Sequence, residues 1–108
     1  MLKNDHYTYR VIWSEEDHEY VGLCSEFPSL SWLDETQEKA LQGIRQLVSD
    51  VIVHMRQNDE EIPEPFSTRK FSGKFIVRIP PELHRRIAEE AAEEGVSINR
   101  LVSSRLAN

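Results

Sequence analysis

The sequence predicts an α+β fold in two modules: a small antiparallel sheet backed by one long helix, then a short strand and two helices that dimerise. Three observations predict it. Apolar and polar residues alternate over 7–13 and 19–24, the period of half-buried strands. Apolar residues recur every three or four positions from Ala40 to Met55, the period of an amphipathic helix. Residues 74–108 compress a strand, a helix, a glycine turn and a second helix into a unit too short to bury a core alone.

In the first module, Tyr7, Tyr9, Val11 and Trp13 alternate with Thr8, Arg10 and Ile12. Ser14 to His18 is a polar, acidic turn, and Glu19 to Cys24 returns as a second strand with Tyr20, Val21 and Leu23 as apolar positions. Phe27-Pro28-Ser29 breaks the pattern, and Leu30 to Leu33 suits a short third strand. Thr36 is the expected N-cap of the long helix, with Asp34, Glu35 and Glu38 favourably placed for its dipole. Lys39 stands where a capping box would have Glu. Asn58-Asp59-Glu60-Glu61 ends the helix, and Ile62-Pro63-Glu64-Pro65 reads as an extended linker. Residues 67–73 suit either more linker or a last strand. The resulting division is 1–61, a linker over 62–73, and 74–108.

In the second module, Phe75, Val77 and Ile79 alternate with Lys74, Ile76 and Arg78. Pro80 and Pro81 stop the strand and open a helix. Leu83, Ile87, Ala88 and Ala91 form its apolar stripe, Gly95 can stop it, and Ser97 can cap the next helix, which carries Ile98, Leu101, Val102 and Leu106. A lone strand with an apolar face needs a partner. A two-fold dimer meets that need, with Phe75, Val77, Ile79, Leu83, Ile87, Leu101 and Val102 as its shared core.

Charge divides with the modules. The chain has a net charge of −6, but residues 1–66 hold 5 Lys/Arg against 14 Asp/Glu, a net of −9. Residues 67–108 hold 8 against 5, a net of +3. Modules of opposite sign suit different partners. The start lacks the apolar stretch of a signal peptide, no run is long enough to cross a membrane, and the single cysteine, Cys24, suits a reducing cytoplasm.

Lys74-Phe75-Ile76-Val77-Arg78-Ile79 and Gly95-Val96-Ser97-Ile98-Asn99 resemble the ribbon-helix-helix family of bacterial DNA-binding proteins. That resemblance implies a two-stranded ribbon in the major groove, with Lys74, Ile76 and Arg78 turned toward base edges. It also implies a phosphate at the helix start formed by Ser97, Ile98 and Asn99. Ile76 departs from the polar reader common in that family and suits a thymine methyl.

The first module, with Gly22 after an acidic turn, Phe27-Pro28 and Asp34-Glu35-Thr36, resembles the N-terminal domain of HicB-type antitoxins, a truncated ribonuclease-H-like fold. Trp32 stands in a stretch where that family usually has glycine. The resemblance implies an antitoxin that neutralises an mRNA-cleaving toxin of the HicA type and represses its own operon. Its partners would be operator DNA, the toxin, and a second copy of itself in a dimer or higher oligomer. The alternative is a stand-alone ribbon-helix-helix repressor whose first module senses a ligand or oligomerises.

No catalytic residue, cofactor or metal site is expected. Glu15, Glu16, Asp17 and Glu19 could suggest a nuclease carboxylate cluster, but three of them are adjacent in a turn, where side chains diverge. Cys24 reads as a core residue, and His6, His18, His54 and His84 lack ligand spacing. Trp13 and Trp32 read as packing residues, with Trp32 the better placed for an interface.

Overall fold

The computed structural model describes residues 3–108; Met1 and Leu2, part of the start read above for a signal peptide, lie outside the described residues. The chain is α+β, a three-stranded antiparallel sheet followed by helices. It divides into two compact units, residues 1–71 and 72–108.

In the first unit, β1 (Tyr9–Ser14), β2 (Glu19–Cys24) and β3 (Ser31–Asp34) lie in sequence order. Val11 faces Gly22, and Gly22 faces Trp32; one step along, Ile12, Val21 and Leu33 stand in a row. His18, at φ 53°, takes the left-handed conformation in the hairpin turn. Helix α1 (Gln37–Gln57) begins where its cap dictates: Thr36 is extended, and its hydroxyl accepts from the Lys39 N–H at 3.1 Å.

Ala40, Ile44, Val48 and Ile52, each four residues apart, form the buried stripe of α1. Ile44, Val48 and Ile52 meet Tyr7, Cys24 and Phe27 in one core, where Tyr7 packs edge-on against Phe27 at 5.3 Å between ring centroids. Glycine makes the contact between helix and sheet possible. A Cβ on Gly22 would lie 2.5 Å from the Ala40 carbonyl oxygen and 2.8 Å from Ile44 Cγ2. Trp32 similarly lies against Gly43, where any Cβ would meet the indole ring. Trp32 thus packs on α1, while its Nε1–H donates to Asp34 at 3.2 Å. Outside this core, Asp5 pairs with Arg45 of α1.

The segment after α1 is fastened to this unit. Tyr7 donates its hydroxyl to the Pro63 carbonyl at 2.7 Å, and Ser67 donates to the His6 carbonyl at 2.7 Å. The Phe66 N–H donates to Glu26 at 2.8 Å. Residues 67–73 add no strand to the sheet.

Glu26 is the buried polar centre of this attachment. Its carboxylate also accepts from the Thr8 N–H at 2.9 Å and the Thr8 hydroxyl at 3.1 Å. Burial pushes its pKa up, but the N–H groups of Phe66 and Thr8 outweigh burial and hold the carboxyl below its ordinary 4.5. A depressed carboxyl stabilises the fold above its unfolded value, and that contribution is lost as pH falls through the folded value. Glu26→Gln turns an amide NH2 toward donors and is expected to cost about 2 kcal/mol at neutral pH. In urea titrations the gap between mutant and parent should narrow as pH drops below 4.5. An equal gap at both pH values would contradict this role for Glu26.

The second unit holds α2 (Pro81–Glu94) and α3 (Ile98–Ala107). Pro81 opens α2, where its missing N–H costs nothing. Gly95, at φ 70°, closes it, and Val96 N–H returns to the Ala91 carbonyl at 3.0 Å. Ser97 caps α3 through the Arg100 N–H at 3.0 Å. Ala91 and Leu101 are buried between the helices, and Glu90 pairs with Arg105 across them.

One expected strand is absent. Lys74 to Ile79 forms neither strand nor helix. A ladder needs a second strand alongside, and a single chain supplies none for this segment.

Candidate functional site

The residues singled out in the second unit lie together at its surface. Lys74, Ile76 and Arg78 are exposed, Ile76 at 93%. Phe75 and Val77, expected in a core, are 73% and 62% exposed, and Ile79 is also exposed. Leu83, Ile87 and Val102 are half-buried, and only Leu101 of the expected core is fully buried. One chain therefore presents these apolar side chains without covering them.

An open groove of about 450 Å3 runs between this segment and α3, lined by Lys74, Phe75, Val77, Asn99, Val102 and Leu106. Ser97, Ile98 and Asn99 lie at the start of α3 and are all exposed. The Ser97 hydroxyl is occupied by its capping bond, but the first N–H groups of a helix have no intrahelical partner and carry its positive end. The unit thus combines an apolar groove, two cations on one exposed segment and a helix N-terminus in 37 residues.

In the first unit, Glu15, Asp17 and the Cys24 thiol have local partners. Glu15 accepts from Trp13 Nε1 at 2.9 Å and Asp17 accepts from the Ser14 hydroxyl at 2.9 Å, so these carboxylates serve the turn. Among the described residues no three His, Cys, Asp or Glu side chains gather as metal ligands. Cys24 is buried beside Glu26, and burial pushes its thiol up to about 11, which leaves little thiolate at neutral pH. Trp13 packs edge-on against Tyr20 at 5.1 Å. Among the described residues no helix is long and apolar enough to cross a membrane.

The grouping of an uncovered 74–79 segment with a capped α2–Gly95–α3 pair is where comparison with known proteins becomes informative. Residues 57–106 match the model of the HicB family. The match takes in the last residue of α1, the fastened segment, α2 and all but the last residue of α3, and it excludes the sheet. No curated protein and no solved structure matches the chain. The match thus falls on the tail, whose residues resemble the ribbon-helix-helix family, and leaves untouched the first-unit residues Gly22, Phe27-Pro28 and Asp34-Glu35-Thr36 that resemble HicB-type antitoxins.

Sequence reasoning missed two features of the first unit. The Glu26 attachment escaped because its partners are backbone N–H groups, which no pattern of side chains announces. The second is the apolar row Ile12–Val21–Leu33, turned away from α1. Its signal was present: both strands of the hairpin carry apolar residues on both faces.

Proposed function

We propose that this chain is an antitoxin that represses its own operon. Two copies join through residues 74–79 as an antiparallel ribbon over their α2–α3 pairs. Lys74, Ile76 and Arg78 face the major groove, and the starts of the two α3 helices receive backbone phosphates. The acidic first unit covers a basic, RNA-cleaving toxin of the HicA type. Its part is binding, with no reaction of its own.

The observation that carries this reading is the incompleteness of residues 72–108 in a single chain. Phe75 and Val77 stand exposed beside a groove whose walls include Val102 and Leu106. A second copy supplies both the missing strand for residues 74–79 and the cover for these side chains. Charge supports the division of labour. The unit of residues 1–71 has 7 Lys/Arg against 14 Asp/Glu, a net of −7. A toxin that grips RNA needs a positive surface, which an acidic domain can steer toward itself and cover.

Arg78→Ala separates the two activities. It is expected to weaken operator binding by roughly 1–3 kcal/mol for each base edge it no longer reads, and to relax sequence preference. The same chain should still rescue growth when the HicA-type toxin is co-expressed. Gel-shift titration and growth rescue read the two outcomes. Full operator affinity in Arg78→Ala would contradict the ribbon assignment. Failure of the parent chain to rescue growth would contradict the antitoxin role.

A further inference from the structure

The geometry points to the outer face of the sheet, centred on Ile12, Val21 and Leu33, as the surface on which the basic protein partner docks. This assignment rests on the proposed antitoxin role and adds to it the place of contact.

The face follows from Gly22. A Cβ on Gly22 would strike Ala40 and Ile44, so Gly22 faces α1, and its neighbours Val21 and Leu23 face away. The register carries this across the strands: Ile12, Val21 and Leu33 form one row, and Arg10, Leu23 and Ser31 the next. Beyond the first row, Ser14 is opposite Glu19, next to the acidic turn of Glu15, Glu16 and Asp17. The face is therefore apolar along its middle, acidic at the hairpin end and basic only at Arg10. Ile12 is 45% exposed and Leu33 is 41% exposed, and the long helix of this unit lies on the opposite side. An antiparallel sheet with a solvated face ordinarily makes that face polar. This one places three branched aliphatic side chains in line across all three strands.

Size and charge decide the occupant. Three strands of four to six residues offer roughly 14 by 20 Å, on the order of 300 Å2, against roughly 800 Å2 per side in a stable interface. A partner must therefore extend beyond the apolar row onto its rim, and the rim at the hairpin end is acidic. A second copy would bring together two units of net −7 over this small area. A basic protein with an apolar strip flanked by Lys or Arg meets both the row and the rim.

The test uses the full chain and a purified, catalytically inactivated HicA-type ribonuclease as the probe. I12T/L33T keeps the charge and a strand-forming side chain at both positions. Its dissociation constant for the probe is expected to rise at least tenfold, with operator binding and the thermal midpoint unchanged. Val53→Thr, an exposed apolar residue of α1, is the control and should leave the affinity unchanged. E16Q/E19Q should slow association and weaken its salt dependence. Should the double variant unfold, Ile12→Thr on edge strand β1 carries the test, with an affinity reduced at least threefold.

If I12T/L33T binds the probe as the parent does, the surface assignment is overturned while the antitoxin role stands. If it lowers the oligomer's mass but leaves probe affinity intact, a second copy occupies the face and the assignment is equally overturned. If the parent chain itself fails to bind, the antitoxin role falls and takes this surface with it.

Discussion

A Gly22→Ala chain is expected to lose about 3 kcal/mol of stability in its first unit, the upper end of the usual cost of overpacking. The size of the effect comes from what the added methyl would meet. At 2.5 Å from the Ala40 carbonyl oxygen and 2.8 Å from Ile44 Cγ2, it overlaps one backbone atom and one fully buried branched side chain. Neither can swing aside as an exposed lysine could. Relief requires α1 to move off the sheet, which opens the packing between the helix stripe and Cys24, Tyr7 and Phe27. Small domains are stable by only 5–15 kcal/mol or so, and this one is at the low end of domain size. Urea unfolding followed by tryptophan fluorescence reads the effect, because Trp13 and Trp32 both lie in the sheet of the first unit. The second unit is compact in its own right, so operator binding should survive. A midpoint equal to the parent's would mean that the helix does not sit on Gly22.

Much of this architecture is legible in the sequence, and the reasons are local. Thr36, Gly95 and Ser97 act through bonds to residues within five positions, so the start of α1, the end of α2 and the start of α3 can be read from capping chemistry. Glu19–Cys24 is set by the turn before it and the Phe27-Pro28 break after it. β1 begins at Tyr9, two residues later than its alternation suggests. Tyr7 keeps the strand's periodicity but turns its ring to Phe27 and its hydroxyl to Pro63, distant residues that periodicity does not encode. Gly22 and Gly43 likewise acquire meaning only once helix and sheet are packed.

The candidate site is legible to a different degree. Lys74 to Ile79 has a strand's alternation, yet the single chain leaves it unpaired. Alternation reports which side chains seek cover and is silent on where the covering strand comes from. The apolar row on the first unit is harder to see. Ile12, Val21 and Leu33 belong to three strands, and only the register places them in line.

Val77→Ala is the sharpest test of the dimer, because one chain and two chains predict opposite results. In a single chain Val77 is 62% exposed, and removing two exposed methyl groups should change stability by only a few tenths of a kcal/mol. Beneath a two-stranded ribbon the same side chain is enclosed by its own α3 and by the partner's strand, and truncation should cost about 2 kcal/mol. Two-fold symmetry places two copies in one core, so the dimer should lose about 4 kcal/mol, close to a thousandfold in its dissociation constant. Operator affinity should collapse with it, since half a ribbon offers half the groove contacts. Arg78→Ala, by contrast, should leave dimerisation untouched while DNA binding falls, because an exposed cation contributes little to the core. Sedimentation across a range of concentrations measures the first quantity, and gel-shift titration of the same samples measures the second. If Val77→Ala remains as dimeric as the parent and still binds operator, residues 74–79 are not the ribbon, and the open groove beside α3 must be covered in some other way.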